Sequence, residues 1–313
     1  MCFSMRGLIF NIMVLTAVLS LLNDSAVLAR EAAPTDYAIV VGIGGYPEAS
    51  GWSRIHGDRD VPLVVGMLER NGFAKENIIS LVNEEATKKA IENAFLSLRA
   101  GLKPGDRVYV HLSGHGQQVS DLDGDEEDDR DEAFVPYDAC KKYVQGKYEG
   151  ENHLVDDELF LLLSGISEAV GKDGLVMIVI DACHSGDATR DIGNEADDSV
   201  IRGTADLFEI PVDATCESDR KGAGQMAAGS GRKISWICLS ACKSYQNNNE
   251  CKTEDGYYGR LSWVMNKVFV SGMRIDDLIS RIESEFFALP SPQGPMQTPD
   301  FEYPRDRSTV RIF

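Results

Sequence analysis

Residues 175–186 read Leu-Val-Met-Ile-Val-Ile-Asp-Ala-Cys-His-Ser-Gly, an apolar run followed by a polar turn that contains a cysteine. Its first six residues, Leu175 to Ile180, form the most continuous apolar run in the chain after the first 29 residues. A short apolar run bounded by polar and glycine residues is typical of a central strand that is covered on both faces. The reactive side chain of Cys183 therefore follows directly on the end of a buried strand.

Short apolar runs and amphipathic stretches alternate on both sides of this strand. That alternation predicts an α/β fold with one mainly parallel, six-stranded sheet and helices on both faces. The glycine- and aspartate-rich residues 187–233 show little periodicity and predict an irregular surface segment. We expect the other strands at 37–42, 78–82, 107–112, 234–240 and 309–313, and helices at 60–70, 87–98, from 157 to 163, at 261–270 and at 275–287.

The chain is acidic, with 50 acidic against 31 basic side chains among 313 residues and a net charge of −19. Phosphate backbones are bound by basic surfaces, so nucleic acid is excluded as an expected partner. Part of the acidic excess lies in residues 121–132, which read DLDGDEEDDRDE. The seven cysteines show no disulfide framework, and for Cys238 and Cys242 both a bridge and buried thiols stay open.

The first 29 residues have the pattern of a signal peptide. Arg6 precedes an apolar run over 7–22, and small residues stand at the positions that signal peptidase reads, so we expect cleavage after Ala29. An uncleaved anchor is the alternative, but this run falls short of the roughly 20 residues that span a membrane. We expect residues 30–313 to be exported, to the periplasm or the medium, as a monomer that does not contact the membrane.

Two predicted strand ends carry reactive side chains. His115 lies in a Ser-Gly-His-Gly turn after the strand at 107–112, and Cys183 follows the strand at 175–180. Carboxyl ends of parallel strands meet at one edge of a sheet, so this imidazole and thiol face each other if the strands are neighbours. The imidazole would then take the thiol proton, and the flanking glycines would let backbone N–H groups approach an oxyanion.

At these residues the chain resembles the caspase-like cysteine peptidases, and within them the metacaspases of the bacterial, type I-like kind. The resemblance implies a caspase-like fold, with 36–186 as the part like a large subunit and 234–313 as the part like a small one. It implies a thiol endopeptidase in which Cys183 is the nucleophile, His115 is the base, and the N–H groups of Gly116 and Cys183 form the oxyanion hole. No cofactor is expected in the chemistry. The segments that carry the resemblance are Tyr37-Ala-Ile-Val-Val-Gly42, His111-Leu-Ser-Gly-His-Gly-Gln117, Asp123-Gly-Asp-Glu126, Asp131-Glu-Ala-Phe-Val-Pro-Tyr-Asp138, Val155-Asp-Asp157 and Asp181-Ala-Cys-His-Ser-Gly186.

The metacaspase resemblance implies cleavage after Arg or Lys, the residue called P1. A basic P1 side chain needs carboxylates at the floor of its pocket, the S1 pocket. Asp181 lies two residues before Cys183 on the same strand face, which favours it for that role. The resemblance adds Asp60 and Ser113. For Asp60 a solvated carboxylate at a helix start stays open, because residues 54–60 depart from the small-residue pattern usual there.

The resemblance also implies a calcium site, with Asp131, Asp156 and Asp157 as ligands and calcium as an activator. A further ligand of the family would fall on Arg190, with Asp191 beside it, so the site is altered relative to the family. Residues 121–132 do not complete an EF-hand loop, because the position that needs glycine holds a glutamate. A solvated acidic loop is the alternative.

Other functions stay open at this point. A cysteine phosphatase also places Cys after a buried strand, but Arg190 is seven residues on from Cys183, whereas the phosphate loop needs six, and Asp187 would repel phosphate. Residues 42–47 hint at a dinucleotide loop but end in proline where the third glycine is needed. A catalytically silent caspase-fold binding module is the alternative of a different class, and the intact Cys and His argue against it.

Self-processing is expected within residues 187–233, because exposed glycine-rich backbone is the usual site of proteolytic nicking. Of the basic residues in this segment, the pair Arg220-Lys221, followed by Gly-Ala-Gly, has the most accessible sequence context. The other basic residues after which such an enzyme would cut are Arg190, Arg202, Arg232 and Lys233.

Overall fold

Strands and helices alternate along most of the chain from Thr35 to Phe313. The computed structural model describes residues 33–121, 124, 130–183, 200–211, 234–243, 246–290 and 297–313; the predicted signal peptide lies outside them. The strands are β1 (Asp36–Gly42), β2 (Ile78–Val82), β3 (Arg107–Ser113), β4 (Gly116–Ser120), β5 (Arg130–Phe134), β6 (Leu154–Val155), β7 (Leu175–Asp181), β8 (Ile237–Ser240), β9 (Glu250–Thr253), β10 (Gly256–Gly259) and β11 (Asp300–Glu302). The helices are α1 (Gly57–Arg70), α2 (Lys88–Gly101), α3 (Asp156–Val170), α4 (Arg260–Val268) and α5 (Ile275–Ala288).

The central sheet has six strands in the order β11-β8-β7-β3-β1-β2. The pairs from β8 to β2 are parallel, and the edge strand β11 pairs antiparallel with β8. The predicted α/β fold, with a mainly parallel six-stranded sheet, is therefore confirmed. β7 lies between β3 and β8, in the interior position that its apolar run predicts.

Helices cover both faces of this sheet, and the alternation of side chains along the strands sorts them into two cores. In β1, Ala38 and Val40 pack in a core with α1, α4 and α5, whereas Ile39 and Val41 pack in a second core with α2 and α3. All four of these β1 residues are fully buried. Burial on both faces explains why these strands read as continuous apolar runs instead of alternating ones.

The register of the parallel strands places polar residues side by side where the strands end. Ser113, the last residue of β3, pairs with Asp181, the last residue of β7, and with Gly42 at the end of β1. Residues that follow these strands therefore emerge at one edge of the sheet. His115 and Cys183 each lie two residues beyond this row.

Helix α1 starts in close contact with that edge because of two glycines. A Cβ added to Gly57 would lie 2.6 Å from the Ile43 carbonyl oxygen and 2.7 Å from that of Ser113, and one added to Gly42 would lie 2.3 Å from the Gly57 oxygen. Neither position tolerates a side chain without a backbone shift. This close approach brings the first turn of α1, which carries Asp60, over the ends of β1 and β3.

The expected last strand at 309–313 is wrong. Its apolar residues Ile312 and Phe313 are buried in the core beside α5, and only Arg311 makes an isolated bridge, to Arg274. The edge of the sheet is instead β11, three residues with two exposed acidic ends. Apolar residues at the C-terminus thus pack against the sheet face without joining it.

A smaller three-stranded sheet, β4-β5-β6, lies beside the central sheet and receives residues 200–211. Residues 200–211 fall within the expected irregular surface segment 187–233 and form no helix or strand, but Arg202, Thr204 and Phe208 are buried. Arg202 is 0% and Phe208 is 1% exposed, and Phe208 packs with Trp52, Val119 and Tyr148. The rest of the expected segment, 187–199 and 212–233, lies outside the described residues.

Among the described residues, none of the helices combines the length and the apolar character that crossing a membrane would require.

Candidate active site

His115 is held in a buried cage of aromatic rings at the end of β3. Its ring stacks on Trp52 with 4.8 Å between centroids, and its backbone N–H donates to the hydroxyl of Tyr46 at 3.1 Å. Nε2 lies 3.0 Å from the carbonyl oxygen of Ser53. A carbonyl can only accept a hydrogen bond, so Nε2 carries the proton of the neutral ring.

The other ring nitrogen, Nδ1, is buried and has no hydrogen-bond partner within the described residues. Burial lowers the pKa of His115 to about 4, and the charges of Arg202 and Lys141 lower it further against the opposing hydrogen bond to Ser53. The imidazole is thus neutral at physiological pH, with an unshared electron pair on Nδ1. This is the state of a general base.

Cys183 is 1% exposed and occupies the equivalent position after β7. Its Sγ lies 3.0 Å from the carbonyl oxygen of Gln246, and its backbone N–H donates to the carbonyl oxygen of Arg202 at 2.8 Å. Because β3 and β7 are neighbours, the nucleophile and the base predicted from the sequence lie on adjacent strand ends. Gly116, the other predicted oxyanion donor, begins β4 directly after His115.

Cys238 and Cys242, for which a disulfide bridge and buried thiols had both stayed open, are free thiols in the structure. Burial raises the pKa of Cys238 to about 12. The pKa of Cys242 is raised well above its ordinary value by its contact with Cys183 and by burial. Both stay protonated at neutral pH, and a protonated thiol is a poor nucleophile.

Asp60, Ser113 and Asp181 meet around the guanidinium of Arg202. Nη1 of that arginine lies 2.7 Å from Oδ2 of Asp60, 2.6 Å from Oγ of Ser113 and 3.6 Å from Oδ1 of Asp181. All four side chains are fully buried. The three residues assigned to the S1 pocket on sequence grounds thus enclose a basic side chain of this same chain. Asp60, for which a solvated position had stayed open, is fully buried.

A third carboxylate, which the sequence reading missed, completes this pocket. Oε1 of Glu250 lies 3.0 Å from both Nε and Nη2 of Arg202. Glu250 is held in turn by the backbone N–H of His56 at 2.7 Å and by its Nδ1 at 2.6 Å. It follows three asparagines in a stretch whose spacing has no relation to Cys183, so no motif could have found it.

The pocket carboxylates differ in their acidity. Burial raises the pKa of Asp60 to about 6, although Arg202 and the Ser113 hydrogen bond lower it. Burial would also raise the pKa of Asp181. The charge of Arg202 and the hydrogen bonds from Asn248 and Ser262 outweigh this effect, so the pKa of Asp181 is lowered. The pKa of Arg202 is raised despite burial, because three carboxylates surround it. The Arg202 guanidinium therefore stays positively charged.

For the expected calcium ligands, the described ranges contain no group of three His, Cys, Asp or Glu side chains arranged to hold a metal ion. Asp131 lies on β5, and Asp156 and Asp157 open α3; β6 joins the two elements through the pair Ala133 and Val155. Residues Arg190 and Asp191 lie outside the described part. Asp131, Asp156 and Asp157 thus lie on neighbouring elements, and a calcium site formed by them stays a prediction.

Part of the chain matches a known protein family. Residues 65–191, which include both His115 and Cys183, match the model of the metacaspase, peptidase C14 domain. Residues 65–191 are thus similar to a metacaspase domain. Its curated relatives include Metacaspase-1 of Eremothecium gossypii, 35% identical over 129 residues, and Metacaspase-1 of Ajellomyces capsulatus, 33% identical over 137 residues.

These matches cover 39% and 41% of this chain but only 26% and 35% of the two relatives, so this chain spans about a quarter to a third of their length. A crystal structure of protein GSU0716 from Geobacter sulfurreducens superimposes with a TM-score of 0.57 over 89% of this chain and 98% of that one, at 21% identity. That likeness supports the fold. The family match ends before residues 200–211 and before Glu250, so the account of the filled pocket rests on geometry alone.

Proposed function

We propose that this metacaspase-like domain is an exported cysteine endopeptidase that cleaves proteins or peptides after Arg or Lys. One observation carries the proposal: a buried arginine lies among Asp60, Asp181 and Glu250 while its own carbonyl oxygen accepts a hydrogen bond from the N–H of Cys183. A basic side chain in the pocket is thus linked to a carbonyl group at the nucleophile. That is the relation a P1 residue must have.

The proposed chemistry follows from the two buried groups at the strand ends. Nδ1 of His115 takes the proton of the Cys183 thiol as sulfur attacks the carbonyl carbon. The backbone N–H of Cys183, with that of Gly116, stabilises the oxyanion, a contribution of about 3–4 kcal/mol per donor in related sites. His115 then returns the proton to the leaving amine, and water hydrolyses the thioester. Cofactors take no part in these steps.

The pocket supports specificity for a cation. An uncharged P1 residue would leave the buried carboxylates without a counter-charge. A site built for a charged partner therefore strongly rejects analogues that lack the charge. An aspartate at P1 would add a further negative charge to three carboxylates. We therefore expect Arg and Lys substrates to be hydrolysed and Asp substrates to be refused.

The test compares Cys183→Ala with Cys238→Ala, a matched removal of another thiol that lies on β8 away from the pocket. Peptides that differ only in Arg, Lys or Asp at P1 serve as substrates. Hydrolysis of the Arg and Lys peptides should be lost in Cys183→Ala and kept in Cys238→Ala. Equal activity in the two variants would reject the mechanism, and a folded wild type that hydrolyses none of the peptides would favour the silent binding module.

Export and the monomeric state remain part of the proposal on sequence grounds. Residues 1–29 read as a signal peptide, so the protein recovered from the periplasm or medium should begin at Arg30. Terminal sequencing of the fractionated protein measures this directly. A protein that retains Met1 in the cytoplasm would contradict export, and light scattering decides whether the product is a monomer.

Calcium activation is proposed from the sequence resemblance, supported by the adjacency of β5 and the start of α3. Asp156→Asn should reduce any calcium-dependent rise in activity, whereas Asp277→Asn, an equivalent change in the first turn of α5, should not. Equal rates in calcium and in chelator for the wild type would leave Asp131, Asp156 and Asp157 as ordinary acidic residues.

A further inference from the structure

One face of β3 carries a row of polar side chains that runs from the core to the S1 pocket. Tyr109, His111 and Ser113 alternate along the strand, so they project from the same face of the sheet. All three are fully buried, and the ring of Tyr109 packs against those of Phe269 and Phe313, with 5.8 and 6.0 Å between centroids. Ser113 contacts the pocket directly, whereas no step of the proposed chemistry uses Tyr109 or His111.

Helix α4 begins against this row and brings a buried serine to it. Oγ of Ser262 lies 3.0 Å from Nε2 of His111 and 2.7 Å from Oδ2 of Asp181. Nδ1 of His111 lies 3.2 Å from the hydroxyl oxygen of Tyr109. A continuous chain of side-chain hydrogen bonds thus joins the core to a carboxylate of the S1 pocket.

The chemistry of the four groups fixes the direction of every hydrogen bond in this chain. An ionised carboxylate can only accept, so the hydroxyl of Ser262 donates to Asp181. That hydroxyl has one proton, so its oxygen accepts the hydrogen bond from Nε2–H of His111. Burial lowers the pKa of His111 to about 4, so the ring is neutral at pH 7 and its Nδ1 accepts from the hydroxyl of Tyr109. Each of the three protons therefore points towards Asp181.

The start of α4 also holds both aspartates of the pocket through backbone groups. The N–H of Ser262 donates to Oδ2 of Asp181 at 2.8 Å, and the N–H of Gly259 donates to Oδ1 of Asp60 at 3.1 Å. N–H groups in the first turn have no partner within their own helix, and a negative charge is favourable there. A Cβ on Gly259 would lie 2.2 Å from Oδ2 of Asp181, so glycine permits this close approach.

The two carboxylate oxygens of Asp181 have different partners. Oδ2 receives both hydrogen bonds from Ser262, whereas Oδ1 lies 2.8 Å from Nδ2 of Asn248 and 3.6 Å from Nη1 of Arg202. Hydrogen bonds to the charged form of a carboxyl group stabilise that form, and donors linked in series strengthen one another. The carboxylate is thus held by one oxygen while the other faces the cation.

We infer that Tyr109, His111 and Ser262 are positioning residues that keep Asp181 ionised and directed at the basic side chain of P1. The inference rests on the proposed function and names further residues that determine its specificity. Asp60, whose pKa burial raises to about 6, loses its charge as the pH falls through that value. Selection of a cation in mild acid then depends on the remaining carboxylates, and the chain keeps Asp181 among them.

The groups around Asp181 determine what can titrate between pH 5 and 7. Burial raises the pKa of Cys251 to about 12, and the pKa of Cys242 is also raised, so both thiols stay neutral in this range. Protonation of Asp181 in a variant would therefore add to that of Asp60. The groups whose charges interact with Asp181 are Asp60 on α1, Tyr109 and His111 on β3, Arg202, Cys242 after β8, Cys251 on β9 and Arg260 on α4, with Glu250 on β9 in contact with Arg202.

The kcat/KM for an Arg peptide, measured from pH 5 to pH 7, tests the inference in Ser262→Ala beside the wild type. Loss of the hydroxyl should raise the pKa of Asp181, so kcat/KM should be about tenfold below wild type at pH 7 and about a hundredfold below it at pH 5. A merely structural role would lower it by the same factor at both pH values. Ser262→Thr, which keeps the hydroxyl, should restore the wild-type profile.

The matched control is Ser271→Ala, which removes a hydroxyl that donates to the carbonyl oxygen of Phe313 beyond the other end of α4. Its kcat/KM should equal that of wild type at both pH values. Tyr109→Phe removes only the last hydroxyl of the chain and keeps the buried ring, so it protects the fold. It should lower kcat/KM about threefold more at pH 5 than at pH 7.

Nitrogen-15 NMR of the histidine rings in folded Cys183→Ala measures the hydrogen-bond direction without any activity. The signals of His111 are those that disappear when His111→Gln is added. They should show the neutral Nε2–H tautomer at pH 7, and Tyr109→Phe should shift the Nδ1 signal. A charged ring or the Nδ1–H tautomer at pH 7 would overturn the inference.

The activity outcomes separate this inference from the proposed function. Equal loss at pH 5 and pH 7 in Ser262→Ala, or a Ser262→Thr variant no better than Ser262→Ala, would overturn the inference. Hydrolysis of the Arg peptide by wild type would leave the proposed function standing in that case. A folded wild type that hydrolyses no basic peptide would overturn both.

Discussion

Glu250→Gln should reduce the preference for Arg over Lys at P1 in a protein that keeps its fold. Oε1 of Glu250 contacts both Nε and Nη2 of the bound arginine at 3.0 Å, two atoms that a lysine side chain lacks. Hydrogen bonds to charged groups contribute about 1.5–3 kcal/mol, and about 1.4 kcal/mol corresponds to a factor of ten in rate. The kcat/KM for an Arg peptide should therefore fall about ten- to a hundredfold, and that for a Lys peptide should fall less.

The assay uses the peptides Val-Ile-Arg and Val-Ile-Lys, taken from residues 200–202 with the last residue varied, each with a fluorogenic leaving group. The ratio of the two kcat/KM values does not depend on the fraction of enzyme that is active. Glu254→Gln, an exposed change on the same hairpin, is the matched control. An unchanged Arg:Lys ratio in Glu250→Gln would refute the assignment of Glu250 to the pocket.

Three further outcomes follow from the same contacts. Burial lowers the pKa values of His111 and His153 to about 4, so these histidines take up protons on unfolding below about pH 6.5. The free energy of unfolding should therefore fall as the pH drops from about 6.5 towards 4, by up to ~3 kcal/mol for each histidine. Urea unfolding of Cys183→Ala at pH 7 and pH 5 measures this, and the same free energy of unfolding at both pH values would contradict it. Asp60, whose pKa burial raises to about 6, must ionise to bind a cation. The kcat/KM for an Arg peptide should therefore rise with pH through about 6, and a flat profile between pH 5 and 7 would contradict the role of Asp60 in binding P1. Ser113→Ala removes a 2.6 Å hydrogen bond that lowers the pKa of Asp60. The rise of kcat/KM with pH should therefore move to higher pH, and kcat/KM at its plateau should fall about tenfold. An unchanged pH profile would contradict the contribution of the Ser113 hydrogen bond to the pKa of Asp60.

The fold was predictable because its strands are short, apolar and separated by helices with clear periodicity. Leu175 to Ile180 predict a strand in the sheet interior, and β7 is found there. The last strand was misplaced because Ile312 and Phe313 satisfy the same apolar pattern by packing on the sheet face. β11 escaped prediction because three residues with two exposed acidic ends carry no apolar run.

The candidate site was predictable only where its residues follow strand ends. Cys183 and Asp181 could be placed together from one stretch of sequence, and Asp60 needed the family resemblance. The burial of Arg202 could not be foreseen, because a charged residue in a glycine- and aspartate-rich stretch is ordinarily exposed. It is buried here because carboxylates from α1, β7 and β9, far apart in sequence, meet around it.

Cys183 is the proposed nucleophile of a cleft that selects a basic residue. Its most direct test is labelling with the peptide Val-Ile-Arg carrying a thiol-reactive acyloxymethyl ketone, followed by mass mapping of the adduct. One equivalent should attach to Cys183 in the wild type, and Val-Ile-Asp with the same reactive group should not label. His115→Ala should abolish labelling in a protein that remains folded. Equal labelling by the Asp and Arg probes would contradict selection of a basic residue, and an adduct on another cysteine with Cys183 unmodified would contradict the assignment of the nucleophile.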